Sequence, residues 1–201
     1  MSNQEEKQKV IDTIDKKYKE AKDWLNRTVW EDYEEKDGYK AWYVDEENGL
    51  RSIKSQIVIN KPMKEIYDYI TNVDYKINYD NSLREAKEIV KYDENYAIHY
   101  FRYKGKLLIQ DRDLYNATYI KYSEDFSEYF GTSLEDPKYE EVPSVTRATC
   151  IYAGMELKKQ DNGVLLTYYT LADMKLNQLL VNTTLGEVAR QVIYLKNILE
   201  K

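Results

Sequence analysis

Val10, Ile14, Tyr18, Ala21 and Leu25 recur at spacings of four, four, three and four, which predicts an amphipathic helix over about residues 4 to 27. Its wet side carries Glu5 with Lys9, Asp12 with Lys16 and Asp15 with Lys19 at i,i+4, each pair worth about 0.2–0.5 kcal/mol. The period then drops to two. Trp30 to Tyr33 and Tyr39 to Val44 read as short strands about the Lys36-Asp37-Gly38 turn, and Asn48-Gly49 is a hairpin signal before a third strand from Arg51 to Asn60. In that strand Ile53, Ile57 and Ile59 share a face with Ser55. Pro62 suits a first helical turn, Ile66, Tyr69 and Ile70 continue a short helix to Thr71, and Asn72 to Asn81 supplies a further turn of helix.

Six strands follow in the pattern, over about 83–92, 96–103, 112–121, 127–131, 145–155 and 164–172. Gly105, Gly131, Pro137, Pro143 and Asn162-Gly163 mark the turns. Connections this short predict an antiparallel meander. A last helix starts near Asn177, with Val181, Leu185, Val188, Val192, Leu195 and Leu199 on one stripe that Leu180, Ala189 and Ile193 widen. Such a face must be covered, and the concave side of a sheet of six to nine strands is the large apolar surface the sequence offers. The expectation is an α+β fold: a curved antiparallel sheet of about nine strands wrapped around a long C-terminal helix. An N-terminal helix and two short helices after the third strand complete it.

Composition adds bounds. The 201 residues most simply form one domain over 1–201, large enough to bury about 70% of the unfolded surface. A net charge of −6 and a pI near 5.1 argue against a general nucleic-acid binder, which needs a basic face. Cys150 is the single cysteine, so no internal disulfide forms. The first ten residues carry Glu5, Glu6, Lys7 and Lys9 with no apolar core of a signal peptide, and no apolar run nears the roughly 20 residues of a membrane span. The expectation is a soluble, cytoplasmic protein. The 21 tyrosines suit half-buried strands and also the walls of a pocket for an amphipathic ligand.

Catalytic signals are poor. With one histidine, His99, and one cysteine, zinc clusters and nucleophile triads lack their parts, and the seven glycines form no phosphate loop. His99 reads as a strand wall residue. Asp45-Glu46-Glu47 and Glu140-Glu141 adjoin turn signals and read as solvated loop faces.

The blocks Arg112-Asp113, Val145-Thr-Arg-Ala, Tyr152-Ala-Gly, Leu165-Leu-Thr-Tyr and Leu179-Leu-Val-Asn occur in order before the terminal helix, and Asp74-Tyr75-Lys76-Ile-Asn-Tyr79-Asp80 precedes them. Together with the element order they resemble the START (StAR-related lipid transfer) family, of helix-grip fold, across essentially the whole chain. The resemblance implies a protein that binds one phospholipid, sterol or other amphipathic lipid in an internal cavity and transfers it between membranes. Its ligand-binding set would be Lys76, Tyr79, Phe101, Arg112, Arg147, Tyr168, Val181, Leu185, Val188 and Val192. In the phosphatidylcholine branch the residue matching Lys76 is an Arg that meets the lipid phosphate; Lys can do so only as a point charge. Phe101 keeps one position of that branch's choline cage, whereas Leu114 and Ile151 stand at the other two, and Thr118 stands near where the sterol branch has a buried Arg. Neither specificity carries over. Arg147 resembles the family's strand Arg, and a buried Arg needs a carboxylate partner.

Between Tyr103 and Arg112 the family's loop closes the cavity mouth; here Leu107, Leu108 and Ile109, flanked by Lys104 and Lys106, suit a gate that contacts a bilayer or, equally, a core plug. No metal or cofactor is implied, and the partners expected are a lipid ligand and, transiently, a membrane. The protein is expected to be a monomer, cytoplasmic and peripherally membrane-associated. A lipid sensor or adaptor without transfer is the alternative, and a Bet v 1-like cyclase or hydrolase the third reading.

Overall fold

A computed structural model of the chain describes residues 3–105, 109–136, 138–139 and 142–201. Helix α1 (Asn3–Leu25) leads to β1 (Glu31–Lys36), β2 (Tyr39–Asp45) and β3 (Arg51–Ile59). Helix α2 (Met63–Thr71), a 3-10 turn (Val73–Tyr75) and α3 (Lys76–Tyr79) follow. Then come β4 (Leu83–Lys91), β5 (Tyr96–Tyr103), β6 (Asp111–Lys121), β7 (Phe126–Ser133), β8 (Val145–Arg147), β9 (Thr149–Gln160) and β10 (Gly163–Asp173). Helices α4 (Gln178–Ala189) and α5 (Gln191–Leu199) close the chain. The strands form one sheet in the order β1-β2-β3-β10-β9-β7-β6-β5-β4. Its middle join is β3 against β10, so the first three strands are bound by the last and not by the next in sequence.

Three expectations need correction. The strand expected over 145–155 is two strands: β8 pairs parallel with β6, and Ala148, whose N–H bonds Asp113 O at 2.9 Å, turns the chain into antiparallel β9. The meander is therefore not wholly antiparallel. The strand expected over 127–131 extends over Phe126–Ser133, and Glu128 and Phe130 on its outer face are buried because α1 covers them. The single terminal helix is broken at Arg190, where φ −83° and ψ 2° interrupt it while the guanidinium reaches Glu34 of β1 at 2.9 and 3.0 Å. Apolar periodicity runs unbroken through that point, so the sequence gives no sign of it.

Two apolar layers lie on the two faces of the sheet. On the concave side Ile57, Ile59, Leu157 and Leu166 pack against Val192, Leu195 and Leu199 of α5 and Ile66 of α2. On the convex side Val10, Ile14, Ala21 and Leu25 of α1 cover Ile98, Ala117, Phe130 and Tyr169. Polar groups pin α1 there: Tyr18 OH donates to Glu128 at 2.6 Å, and Lys22 reaches Glu128 at 2.7 Å and also Glu156. Gly38 takes φ +78° in the β1–β2 turn, a region open to glycine without strain.

The end of α1 is tied to the β2–β3 hairpin by Glu46, which accepts from Arg27 Nη1 at 2.8 Å and Trp24 Nε1 at 3.1 Å and also from Ser52. Burial pushes the Glu46 carboxyl up, but these hydrogen bonds outweigh it and lower it from 4.5 to about 2. A carboxylate with a depressed folded pKa stabilises the fold above its unfolded value and loses that contribution as pH falls through the folded one. Between about pH 4.5 and 2 this one group is therefore expected to cost about 3 kcal/mol of stability, at roughly 1.4 kcal/mol per unit. Acid titration of Glu46→Gln against the parent protein checks it: the variant should show a shallower fall over that range.

Candidate functional site

The concave face and the helices over it do not meet everywhere. Between them an internal cavity of about 240 Å³ remains. About 10–15 Å³ suffices for one water on this measure, so the space is no packing defect. Strand alternation explains the wall: Arg112, Leu114 and Asn116 of β6 face it, as do Phe101 and Tyr103 of β5 and Tyr168 and Thr170 of β10. Helix α4 covers it with Val181, Leu185 and Val188 one turn apart.

Most of the cavity is apolar, with one cluster of polar side chains around Lys76. Lys76 opens α3 there, its ammonium 5.3 Å from the Tyr79 ring centre and 5.7 Å from that of Phe101. Among the described residues no carboxylate lies within 4.0 Å of Lys76 Nζ and no side-chain hydrogen bond is made by it. The side chain keeps accessible surface, but that surface opens into the cavity. Burial lowers the Lys76 pKa and Asp80 nearby offsets this only in part. Around it stand Tyr79, Tyr103, Tyr129 and Tyr168, each with its pKa raised by burial and hence a neutral O–H donor at physiological pH. Tyr129 OH lies 3.2 Å from His99 Nδ1, and burial, with Lys76 and Lys91, lowers that imidazole to about 4, so it is neutral. Cys150 faces the cavity with its thiol pushed up to about 12 by burial.

The mouth is set by the β2–β3 hairpin, the segment before β6 and the start of α4. Gly49, Gly105, Ile109, Met174 and Leu180 line it. A Cβ on Gly105 would collide with the Ile109 carbonyl oxygen, so glycine is required where its backbone meets that of Ile109. Arg112 stands at the mouth with, among the described residues, no carboxylate partner; its guanidinium donates to the carbonyls of Met174 at 3.1 Å and Lys175 at 3.2 Å and to that of Gln110.

Of the residues singled out from sequence, Lys76, Tyr79, Phe101, Arg112, Tyr168, Val181, Leu185 and Val188 share this one cavity. Ile109 lines its mouth, while Leu107 and Leu108 lie outside the described residues. Arg147 does not belong to the wall. One residue beyond the face that carries Arg112, Asp113 points to the convex side, and Arg147 pairs with it there, Nε 2.8 Å and Nη2 3.2 Å from its carboxylate, stacked 4.9 Å over Tyr115. Val192 is likewise displaced: at 0% exposure it is core between α5 and the sheet. Ile151 does not occupy a cavity position either. A β-bulge leaves it unpaired between Cys150, opposite Ala172, and Tyr152, opposite Leu171, so Ile151 packs with the convex layer and Cys150 turns inward. Sequence reading missed Cys150 for that reason. It also passed over Tyr103 and Asn116, which period two from Phe101 and Arg112 would have found.

A sheet folded round a mostly apolar cavity, capped by a C-terminal helix and carrying a cluster of polar side chains around Lys76, defines a helix-grip container for an amphipathic molecule. The START domain family model matches residues 8–192, and the chain belongs to that family. No curated protein sequence matches it. Among solved structures it is similar to human StAR-related lipid transfer protein 5, with a TM-score of 0.85 at 14% identity over 96% of this chain and 98% of that one. Human STARD10 gives 0.79 at 17% over 91% and 78%. A STAR-related lipid transfer protein fragment from Xanthomonas axonopodis gives 0.72 at 14% over 87% and 100%. Identities this low speak for the fold. Among the described residues no helix is long and apolar enough to cross a membrane, and no cluster of three metal-binding side chains occurs.

Proposed function

We propose that the protein holds one lipid in this cavity and carries it between membranes, its chains along the apolar wall under α4 and its polar head at Lys76. The observation that carries this reading is a mostly apolar space lined by Lys76, whose ammonium has, among the described residues, no carboxylate within 4.0 Å. A buried charge left without a partner costs several kcal/mol, and a ligand oxygen beside Lys76 would relieve that cost. The neutral tyrosine hydroxyls can donate to the same head. Membership of a family whose relatives are named as lipid transfer proteins supports the transfer step.

The choline-cage reading is disfavoured by the wall itself, since Leu114 and Cys150 stand where aromatic rings would have to surround a quaternary ammonium. The entrance lies between the segment around Ile109 and the first turns of α4, where apolar Ile109, Met174 and Leu180 stand beside Lys104 and Arg112. Those residues suit brief contact with a bilayer by a soluble, monomeric carrier.

Native mass spectrometry of the protein from its own cells is expected to show about one equivalent of lipid. Vesicle-to-vesicle transfer of labelled phospholipid should exceed the spontaneous rate severalfold. Protein that neither retains nor takes up any lipid would sink the container reading, and protein that binds lipid without speeding its transfer would make it a sensor.

A further inference from the structure

Lys76 is placed as a nucleophile as well as a cation. It faces a mostly apolar space, no described acceptor holds its ammonium, and hydroxyl groups that can hydrogen-bond a carbonyl oxygen stand around it. We propose that the Lys76 ε-amine condenses reversibly with long-chain aldehydes that enter the cavity, holding them as an imine. The idea rests on the lipid-container reading and adds a covalent ligand class to it.

The step balances without oxidant or reductant. The Nζ lone pair attacks the carbonyl carbon, a C–N bond forms, and the carbonyl π pair moves to oxygen, which takes up a proton as nitrogen gives one up. The resulting hydroxyl then leaves as water with a second proton while nitrogen supplies the pair of the C=N bond, so amine and aldehyde give imine and one water. Only the neutral amine can begin this, and burial shifts Lys76 toward that form, the setting in which lysines act as carbonyl nucleophiles. The second proton comes from the nitrogen itself, and the tyrosine hydroxyls, kept protonated by burial, act as hydrogen-bond donors to the carbonyl oxygen and the departing hydroxyl. Apolar walls keep bulk water from reversing the condensation. Cys150 is the competing nucleophile in the same space, but its thiol, pushed up to about 12, leaves almost no thiolate to react.

The test uses the full chain near neutral pH with hexadecanal and cyanoborohydride, which reduces an imine to a stable secondary amine, followed by peptide mapping. A lowered pKa raises the free-amine fraction near neutral pH, so Lys76 is expected to carry severalfold more adduct than solvent-facing lysines such as Lys64 or Lys87. Lys76→Arg, which keeps the charge but cannot form the imine, should lose that adduct, and excess hexadecanol should suppress it in the parent protein by filling the cavity. If hexadecanol binds but hexadecanal labels Lys76 no more than the surface lysines, the imine proposal fails and the container reading stands. If neither compound enters, both fall together.

Discussion

Val188→Asp is expected to give a folded protein that takes up no lipid, whereas Val192→Asp is expected not to fold. The two valines are one helical turn apart and sequence treats them alike. Val188, at the end of α4, is partly buried and borders the cavity, so an aspartate there meets space in which water can solvate it when no lipid is present. Lipid entry would then require stripping that carboxylate of water against acyl chains, a cost of several kcal/mol that corresponds to a loss of affinity of a hundredfold or more. Val192, across the break at Arg190, is fully enclosed by α5 and the sheet. A carboxylate there is an uncompensated buried charge, costing about 3–5 kcal/mol, and the lost valine adds about 2 more. That approaches the roughly 5–15 kcal/mol that holds a typical domain together. Circular dichroism and lipid uptake on both variants decide it: a folded Val192→Asp protein, or a Val188→Asp protein with normal uptake, would overturn the placement of the cavity wall.

The second large effect belongs to Arg147 and Asp113. Asp113 is 1% exposed, and Arg147 is its bidentate partner across the β6–β8 join; the Asp113 carbonyl also holds Ala148 where the chain turns into β9. Arg147→Met should cost about 3–5 kcal/mol, since it strands a buried carboxylate, and should lower Tm by roughly 6–20 °C at about 2–4 °C per kcal/mol. Asp113→Leu should cost less, because Arg147 retains some solvent contact and its bond to the Tyr139 carbonyl at 3.1 Å. The double variant, with two apolar side chains of similar volume, should regain much of the loss. Lipid uptake at temperatures where the variants are folded should match the parent, because the pair lies on the convex face. Reduced uptake with unchanged Tm would instead return Arg147 to the ligand site.

Much of this was legible in the chain. The α1 stripe from Val10 to Leu25, the Asn48-Gly49 hairpin and the strand pattern fix themselves through local periodicity and turn chemistry, and the ordered blocks from Arg112 to Asn182 gave the family. Period two also assigns faces, which is why Phe101, Arg112 and Tyr168 fall on the wall as a set. What sequence could not carry are the features that depend on a partner far along the chain. Which carboxylate serves Arg147 is decided by the parallel β6–β8 join, absent from any local pattern. The bulge at Ile151 shifts parity by one residue and so exchanges Ile151 for Cys150 in the cavity. The helix break at Arg190, tied to Glu34 some 156 residues earlier, separates a wall valine from a core valine that share one stripe. Above all, that Lys76 has no carboxylate within 4.0 Å among the described residues is a fact about the space between a sheet and a helix. A sequence specifies which side chains are charged, but only the packed fold decides which charges are left without partners.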